Sequence, residues 1–382
     1  MELLAPEDKK KICFVVASPM TVKAFLVEPI RKLSTHYDIY IVSDVKDMRE
    51  LECVKDMATL ISIPIQRKVS FFADVAALLA LISTVRQYSF DAIHSITPKA
   101  GLLGMLAAFI CRVPLRIHTF TGQVWATKDG MKRFALKAFD WLIAKVASHV
   151  LVDSHSQRQF LLDEKIISAG KAEVLAHGSI SGVNLARFRP DPQRRESVRK
   201  DYSLDSEDVL ILYLGRLTSD KGIRDLIKAF ALLKHENAHV LLVGPDEDGM
   251  RVSLLSEAKG SAERVHFVEF TEEPEKYMAA ADIFCLPSYR EGFGSVIIEA
   301  AAAGIPSVGS RIYGLTDAIE GNVSGLLFEA GNVTDLENKL SKLVQDSKLR
   351  MLFGAQALRR AQEKFSSELV STAWADYYKQ VL

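Results

Sequence analysis

A chain of 382 residues is too long for one ordinary hydrophobic core, and 48% hydrophobic with 25% charged residues is the composition of a globular protein of two domains. Lys and Arg balance Asp and Glu at 48 each, which excludes a global bias toward nucleic acid. The balance hides an asymmetry: residues 1–190 hold 25 basic against 18 acidic side chains, and residues 191–382 hold the remaining 23 against 30. A basic first half reads either as preference for an anionic partner, such as phosphate or an acidic membrane surface, or as ordinary surface variation.

Residues 1–11 are polar and charged and lack the apolar core of a signal peptide. Nearly continuous apolar runs at 12–17, 39–43, 92–95, 115–119 and 149–153 read as strands of a parallel sheet covered on both faces. Helical patterns at 25–33, 73–88, 100–110 and 132–147 alternate with them. The last carries Lys132, Arg133, Lys137 and Lys145 beside Phe134, Phe139, Trp141 and Leu142. It reads as a helix lying on an anionic bilayer, with Phe71-Phe72 after Arg67-Lys68 assisting, or as a half-buried core helix with a solvated basic rim. Residues 187–208, charged and poor in apolar side chains, read as a linker. The pattern then restarts, with strands at 209–214, 239–243, 265–268, 283–286 and 306–309 and helices at 222–235, 275–280 and 295–303. The expectation is an α/β chain of two doubly wound domains, 1–186 and 209–365, with a C-terminal helix at 366–382 packing back on the first. Ligands in such folds bind outside the carboxyl ends of the strands.

The longest uncharged apolar stretch, 101–111, falls far short of the about 20 residues that a spanning helix needs, so a soluble or peripheral protein is expected. Cys13, Cys53, Cys111 and Cys285 are scattered, which argues against a zinc site or disulfide framework and fits a reducing cytoplasm.

Chemistry concentrates in the second half. The strand at 283–286 runs through Pro287-Ser-Tyr-Arg290 into Glu291-Gly292-Phe293-Gly294, with a helix from Ser295. Two glycines before a helix start let the backbone approach a ligand and aim free N–H groups at it, which suits a diphosphate. Glu299 follows among apolar neighbours at 296–298 and 300–303. A carboxylate so placed needs donors, and paired ribose hydroxyls are suitable; the alternative is a plain glycine turn with Glu299 on a polar face. In Gly215-Arg216-Leu-Thr-Ser-Asp-Lys221-Gly222, after the first strand of this half, Arg216 and Lys221 supply two cations able to balance a leaving diphosphate. Alone, such a loop is more often solvated surface. No GxGxxG or GxxxxGKS loop and no persuasive Ser-His-Asp order is present.

Glu291 and Glu299 at Glu-x7-Glu spacing, the upstream Gly-Arg-Leu…Lys-Gly, and Ser288-Tyr-Arg-Glu291-Gly-Phe-Gly resemble the retaining GT-B glycosyltransferases of family 4. The resemblance extends over nearly the whole chain. Residues 93–103 (IHSITPKAGLL), 178–184 (GSISGVN) and 18–26 (SPMTVKAFL) resemble members that assemble lipid-linked bacterial surface polysaccharides such as O-antigen and capsule. It implies two Rossmann-like domains facing a central cleft, the first for the acceptor and the second for a nucleotide sugar. It further implies metal-independent transfer from a nucleoside diphosphate sugar, expected to be a UDP-sugar, to a polyprenyl-diphosphate-linked glycan with retention of configuration. No cofactor beyond the nucleotide sugar and no nucleic acid is expected, and the setting is cytoplasmic, at the inner face of the plasma membrane. Laid on matching positions, Gly215, Arg216 and Lys221 hold the diphosphate and Glu299 the ribose. Glu291, with the amides of Gly292, Phe293 and Gly294, holds the transferred sugar and stabilises positive charge at its anomeric carbon. The acceptor enters near Thr21, Lys23, Thr97, Lys99, Thr121 and Gly122.

The chain also departs from the pattern. Ser18-Pro-Met-Thr21 replaces a loop that often carries two glycines, and Ile96 stands where relatives have a second His. Phe120-Thr121-Gly122 replaces Val-His-Gly, so the expected sugar-contacting His is missing; His118 is either its substitute or a satisfied structural histidine. Ser181-Gly182-Val183-Asn184 stands for Asn-Gly-Val-Asp. Asp246-Glu247-Asp248 contains an Asp-x-Asp, a metal motif in a different glycosyltransferase fold, but here it reads as a turn. A sugar-nucleotide epimerase, a transferase with a soluble acceptor and a non-catalytic nucleotide-sugar-binding protein stay open beside this reading.

Overall fold

The computed structural model describes residues 9–66 and 70–382, so the Arg67-Lys68 pair of the membrane reading lies outside the described residues. The chain divides into two units: one runs up to Ser181 and includes Glu368–Leu382, and the other is Gly182–Ser367.

The first unit is built on β1 (Lys11–Val15), β2 (Asp38–Ser43), β3 (Thr59–Ser62), β4 (Ala92–Ile96), β5 (Leu115–Phe120), β6 (His149–Val152) and β7 (Ala172–Glu173). All pair in parallel in the order β3-β2-β1-β4-β5-β6-β7. Direction of winding reverses at β1, where Ile12 registers with Ile39 on one side and Ala92 on the other. The second unit holds β8 (Val209–Leu214), β9 (Ala238–Val243), β10 (Val265–Val268), β11 (Ile283–Leu286), β12 (Ser307–Ser310) and β13 (Gly325–Phe328), in the order β10-β9-β8-β11-β12-β13. Here Ile211 of β8 registers with Val240 and Ile283. Each unit is therefore a doubly wound sheet with a crevice outside the carboxyl ends at its reversal, β1/β4 and β8/β11.

Helix Ser367–Val381 belongs, beyond its first residue, to the first unit. Buried Trp374 stacks on the His94 ring at 4.9 Å and donates its indole N–H to the Ile180 carbonyl at 3.1 Å. His94 lies between Tyr378 Oη at 2.8 Å and Thr119 Oγ1 at 2.7 Å. Burial holds its imidazole well below the ordinary histidine pKa, so it works as a neutral, fully bonded ring.

Two expectations are corrected, and one helix goes beyond the sequence reading. The segment read as the linker 187–208 is part of the second unit and contains helix Pro192–Asp201, packed on helix Pro274–Ala280. Its charges are structural: Arg187 pairs with Glu275 at 2.8 Å, and Arg195 and Arg199 clamp Asp282 at 2.7 and 3.1 Å. The pattern at 25–33 is two helices, Pro19–Phe25 and Val27–Leu33, broken at Leu26. Helix Phe71–Tyr88 is long and apolar enough to cross a membrane by length and composition, which a search for uncharged stretches overlooks because it contains Asp74 and Arg86. In the fold it packs against helix Pro98–Ile110.

Candidate active site

Two loops meet at the carboxyl ends of β8 and β11. Lys221 Nζ lies 2.6 Å from Glu291 Oε1, and the same oxygen accepts a hydrogen bond from Ser288 Oγ at 2.7 Å. Both members of the ion pair are largely buried, at 17% and 14% side-chain exposure, so the contact is held by its surroundings and is not a floppy surface pair. Arg216 points into a wetter region, its Nη1 2.8 Å from Glu247 Oε2 with both side chains about half exposed. Tyr213 Oη donates to the Arg216 carbonyl at 2.8 Å and pins the loop from below. Beside it Arg290 holds Asp220 at 3.0 Å, and Asp220 Oδ1 takes the Thr218 hydroxyl at 2.7 Å. Each of the two cations expected to meet a diphosphate is thus paired with a carboxylate.

Gly222 shows how tightly the loops fit. Its φ is +67°, and a Cβ would sit 2.0 Å from the Pro287 carbonyl oxygen, where neither backbone has room to give. Gly222→Ala is expected to destabilise the second unit by about 2–4 kcal/mol, from left-handed strain plus the clash. Denaturant melts of the variant check this; a midpoint within error of the parent counts against it.

Phe293 is buried and packs edge-on against Phe365 at 5.2 Å, so only its backbone can serve a ligand. Gly294 (φ +76°) starts helix Ser295–Ala302, whose first turn has no capping side chain and no acidic residue. Four residues into this helix, Glu299 is half-buried by surface area, while its carboxyl lies deep enough that burial pushes its pKa up to about 7. Arg187 opposes that shift and Glu275 adds to it, both acting through space. A carboxyl in such surroundings is what an incoming pair of hydroxyls would satisfy.

Asp246-Glu247-Asp248 divides its carboxylates among local tasks. Asp246 accepts the backbone N–H groups of Met250 and Arg251 at 2.8 and 2.9 Å, Glu247 holds Arg216, and Asp248 takes the Ser219 N–H at 2.9 Å. This is turn and cap geometry. Among the described residues no group of three or more His, Cys, Asp or Glu is arranged to hold a metal ion.

In the first unit the expected acceptor residues fall on three adjacent strand ends: Thr21 and Lys23 after β1, Thr97 and Lys99 after β4, Thr121 and Gly122 after β5. Thr97 is strained, at φ +74°, and its buried Oγ1 has no partner among the described residues. Lys99 reaches across to Asp74 at 2.5 Å, Lys23 is exposed, and Gly122 takes φ +115°.

His118, a candidate catalytic residue as the substitute for the missing histidine or else a satisfied structural one, has the surroundings of the second. It is 1% exposed, its Nδ1 is 2.8 Å from Ser95 Oγ, and its ring fills the space left by Gly101, where a Cβ would come within 2.5 Å of Cε1. Burial lowers its pKa to about 3. It is a neutral packing residue beneath helix Pro98–Ile110, and the missing family histidine has no substitute in it.

Three residues go beyond the sequence reading. Ser288, quoted within the motif but given no role, donates to Glu291. Glu247 neutralises Arg216 although it lies 31 residues further on. Asp153, at the end of β6, is 5% exposed with an unpartnered Oδ1, and burial raises its pKa to about 8; a lone acidic residue closing an apolar run was the only sequence signal.

Comparison with known proteins gives the family. Residues 194–360 match the family described as Glycosyl transferases group 1, and residues 30–178 match the Glycosyl transferase 4-like domain. The Staphylococcus aureus capsular polysaccharide biosynthesis glycosyltransferase CapM is 30% identical over 352 residues, 90% of each chain. The Campylobacter jejuni N,N'-diacetylbacillosaminyl-diphospho-undecaprenol alpha-1,3-N-acetylgalactosaminyltransferase is 26% identical over 310 residues, 79% of this chain and 80% of its own. In fold, Anabaena HepE in complex with UDP matches with a TM-score of 0.80 at 19% identity, over 97% of this chain and 100% of that one. The chain belongs to the group 1, family 4-like glycosyltransferases of GT-B fold.

Proposed function

We propose that this glycosyltransferase moves a hexose or N-acetylhexosamine from a UDP-sugar to a polyprenyl-diphosphate-linked glycan in surface-polysaccharide synthesis. Transfer proceeds with retention and without a metal ion, at the cytoplasmic face of the membrane. The observation that carries the reading is the Lys221–Glu291 pair, 2.6 Å apart beside an uncapped helix start. A similar protein named for a diphospho-undecaprenol acceptor and a similarly folded one holding UDP support the acceptor class and the nucleotide.

On this reading the incoming diphosphate draws Lys221 from Glu291 and Arg216 from Glu247, and the 292–294 amides complete its cradle. Glu291 is then left facing the sugar. As the bond from the anomeric carbon to phosphate breaks, its charge opposes the positive charge growing on that carbon. The acceptor oxygen bonds to the same face, and its proton passes to the departing phosphate oxygen. The two cations carry the leaving charge, which is the task a metal ion performs in other transferases.

Competition between UDP and GDP for binding, then transfer into lipid extract from each nucleotide sugar in turn, tests donor and acceptor. Arg216→Ala and Lys221→Ala are each expected to weaken UDP binding about tenfold or more. EDTA is expected to leave transfer unchanged, and NMR of the product is expected to show the donor's anomeric configuration. Loss of activity in EDTA overturns the metal-free step, and sugar release without acceptor favours an epimerase or hydrolase instead.

A further inference from the structure

In the first unit, helix Phe71–Tyr88 packs on helix Pro98–Ile110, which packs in turn on helix Gly130–Val146, forming one layer over the sheet. The outer face of this layer is unusually apolar. Helix Phe71–Tyr88 buries only Ala77, Leu81 and Val85. It turns Phe71, Phe72, Val75 and Leu79 outward, the two phenylalanines at 75% and 84% exposure. Helix Gly130–Val146 does the same with Met131 at 84%, Phe134 at 72% and Trp141 at 45%. Exposed apolar residues scattered singly are ordinary, whereas stripes at i, i+3, i+7 on one helix and i, i+3, i+10 on another of the same layer are not.

The charges of this layer lean one way. Lys132, Lys145 and Arg112 are exposed, with Lys145 Nζ 4.7 Å above the Trp141 ring. The acidic groups are mostly committed inward. Asp74 is held by Lys99 at 2.5 Å, Glu164 by Arg133 and Lys137 at 2.7 and 2.5 Å, and buried Asp140 accepts the Trp125 indole N–H at 2.7 Å. Asp129 and, next to Glu164, Asp163 are the exposed exceptions. Exposed apolar side chains with exposed lysine and arginine in the same layer are the chemistry of helices lying in the headgroup region of an anionic bilayer.

We propose that this helical layer docks the chain on an anionic membrane, with Phe71, Phe72, Met131 and Phe134 entering the boundary between headgroups and acyl chains. A second copy of the chain fits the face less well, because a two-fold contact sets Lys132 and Lys145 toward their own copies without an acidic complement. The placement suits the acceptor. The Lys99–Asp74 pair ties the start of helix Phe71–Tyr88 to the strand end that carries Thr97. This inference deepens the lipid-linked acceptor reading and rests on it for the acceptor alone.

Of the three tryptophans only Trp141 is exposed, Trp125 and Trp374 being 1% accessible, so fluorescence reports on this face directly. Vesicles of phosphatidylcholine, with and without one quarter phosphatidylglycerol, are the probe, with neither donor nor acceptor present. Trp141 emission is expected to shift to the blue with the acidic vesicles, and sedimentation with them to weaken as salt is raised. The Phe72→Ser/Phe134→Ser variant is expected to lose binding about tenfold or more while its UDP affinity and melting temperature hold. No emission shift, equal binding to neutral vesicles, or a dimer abolished by the same substitutions overturns the proposal. Vesicle binding without any transfer to lipid-linked glycans leaves the surface standing and removes the acceptor reading.

Discussion

Glu291→Gln is expected to lower sugar transfer by about a hundredfold to a thousandfold while leaving UDP affinity unchanged or a few-fold tighter. The two effects separate because Glu291 has two partners at different stages. In the free chain its Oε1 holds Lys221 at 2.6 Å and Ser288 Oγ at 2.7 Å. Glutamine keeps the size and can still accept from Ser288, so the loop is retained. It drops the charge, so Lys221 is no longer held by an anion and is free for the diphosphate. The cost falls on the later stage, where positive charge develops at the anomeric carbon and a neutral amide cannot answer it. Steady-state rates with isothermal titration of UDP read both arms. Full turnover in the variant removes Glu291 from the chemistry. An equal loss of UDP binding and rate makes it a ground-state ligand only.

Much of the fold was legible because a doubly wound sheet buries its strands on both faces. Runs such as VLILYL in β8 and IFCL in β11 are apolar at every position, and their alternation with helical patterns leaves little choice of class. What was not legible was held by charge. Helix Pro192–Asp201 buries only Val198 and Arg199, and the guanidinium of Arg199 meets Asp282 at 3.1 Å and the Asp208 carbonyl at 2.8 Å. Apolar periodicity cannot see a helix docked by arginines, so the segment read as a linker. Edge strand β3, half-exposed throughout, gave too weak an apolar run for the same kind of reason.

The candidate donor residues were legible because they sit within two short loops whose spacing is local. Their partners were not. Glu247 reaches Arg216 only because β9 lies beside β8, and the contact between Gly222 and Pro287 depends on β8 lying beside β11. His118 shows the opposite limit. Its type suggested chemistry, but its place inside a buried strand, with Gly101 opposite, decided for packing. Residue type proposes a role, and the parity of the strand decides which way the side chain faces.

Binding of a UDP-sugar is expected to strengthen as pH rises from about 5.5 to 8 and to level off above the Glu299 pKa of about 7. Burial holds that carboxyl protonated well above its ordinary value of 4.5, so at pH 6 most of the free chain carries it neutral. Ribose hydroxyls donate to the ionised form, so the complex lowers the pKa and binding releases a proton. A nucleotide sugar is the proper ligand, since both its phosphates are esterified and neither titrates in this range. Glu299→Gln is expected to flatten the profile and weaken binding at pH 8, and a 2′-deoxyribose analogue is expected to flatten it in the parent protein. The unliganded chain supplies the opposite sign. There the folded state binds the Glu299 proton more tightly than the unfolded state, so this group's contribution to stability declines from about pH 4.5 to about pH 7. Glu299→Gln removes that decline, and its melting temperature is expected to gain on the parent at pH 8 relative to pH 5. A profile equally steep in the variant assigns the linkage to another group and takes the ribose from Glu299.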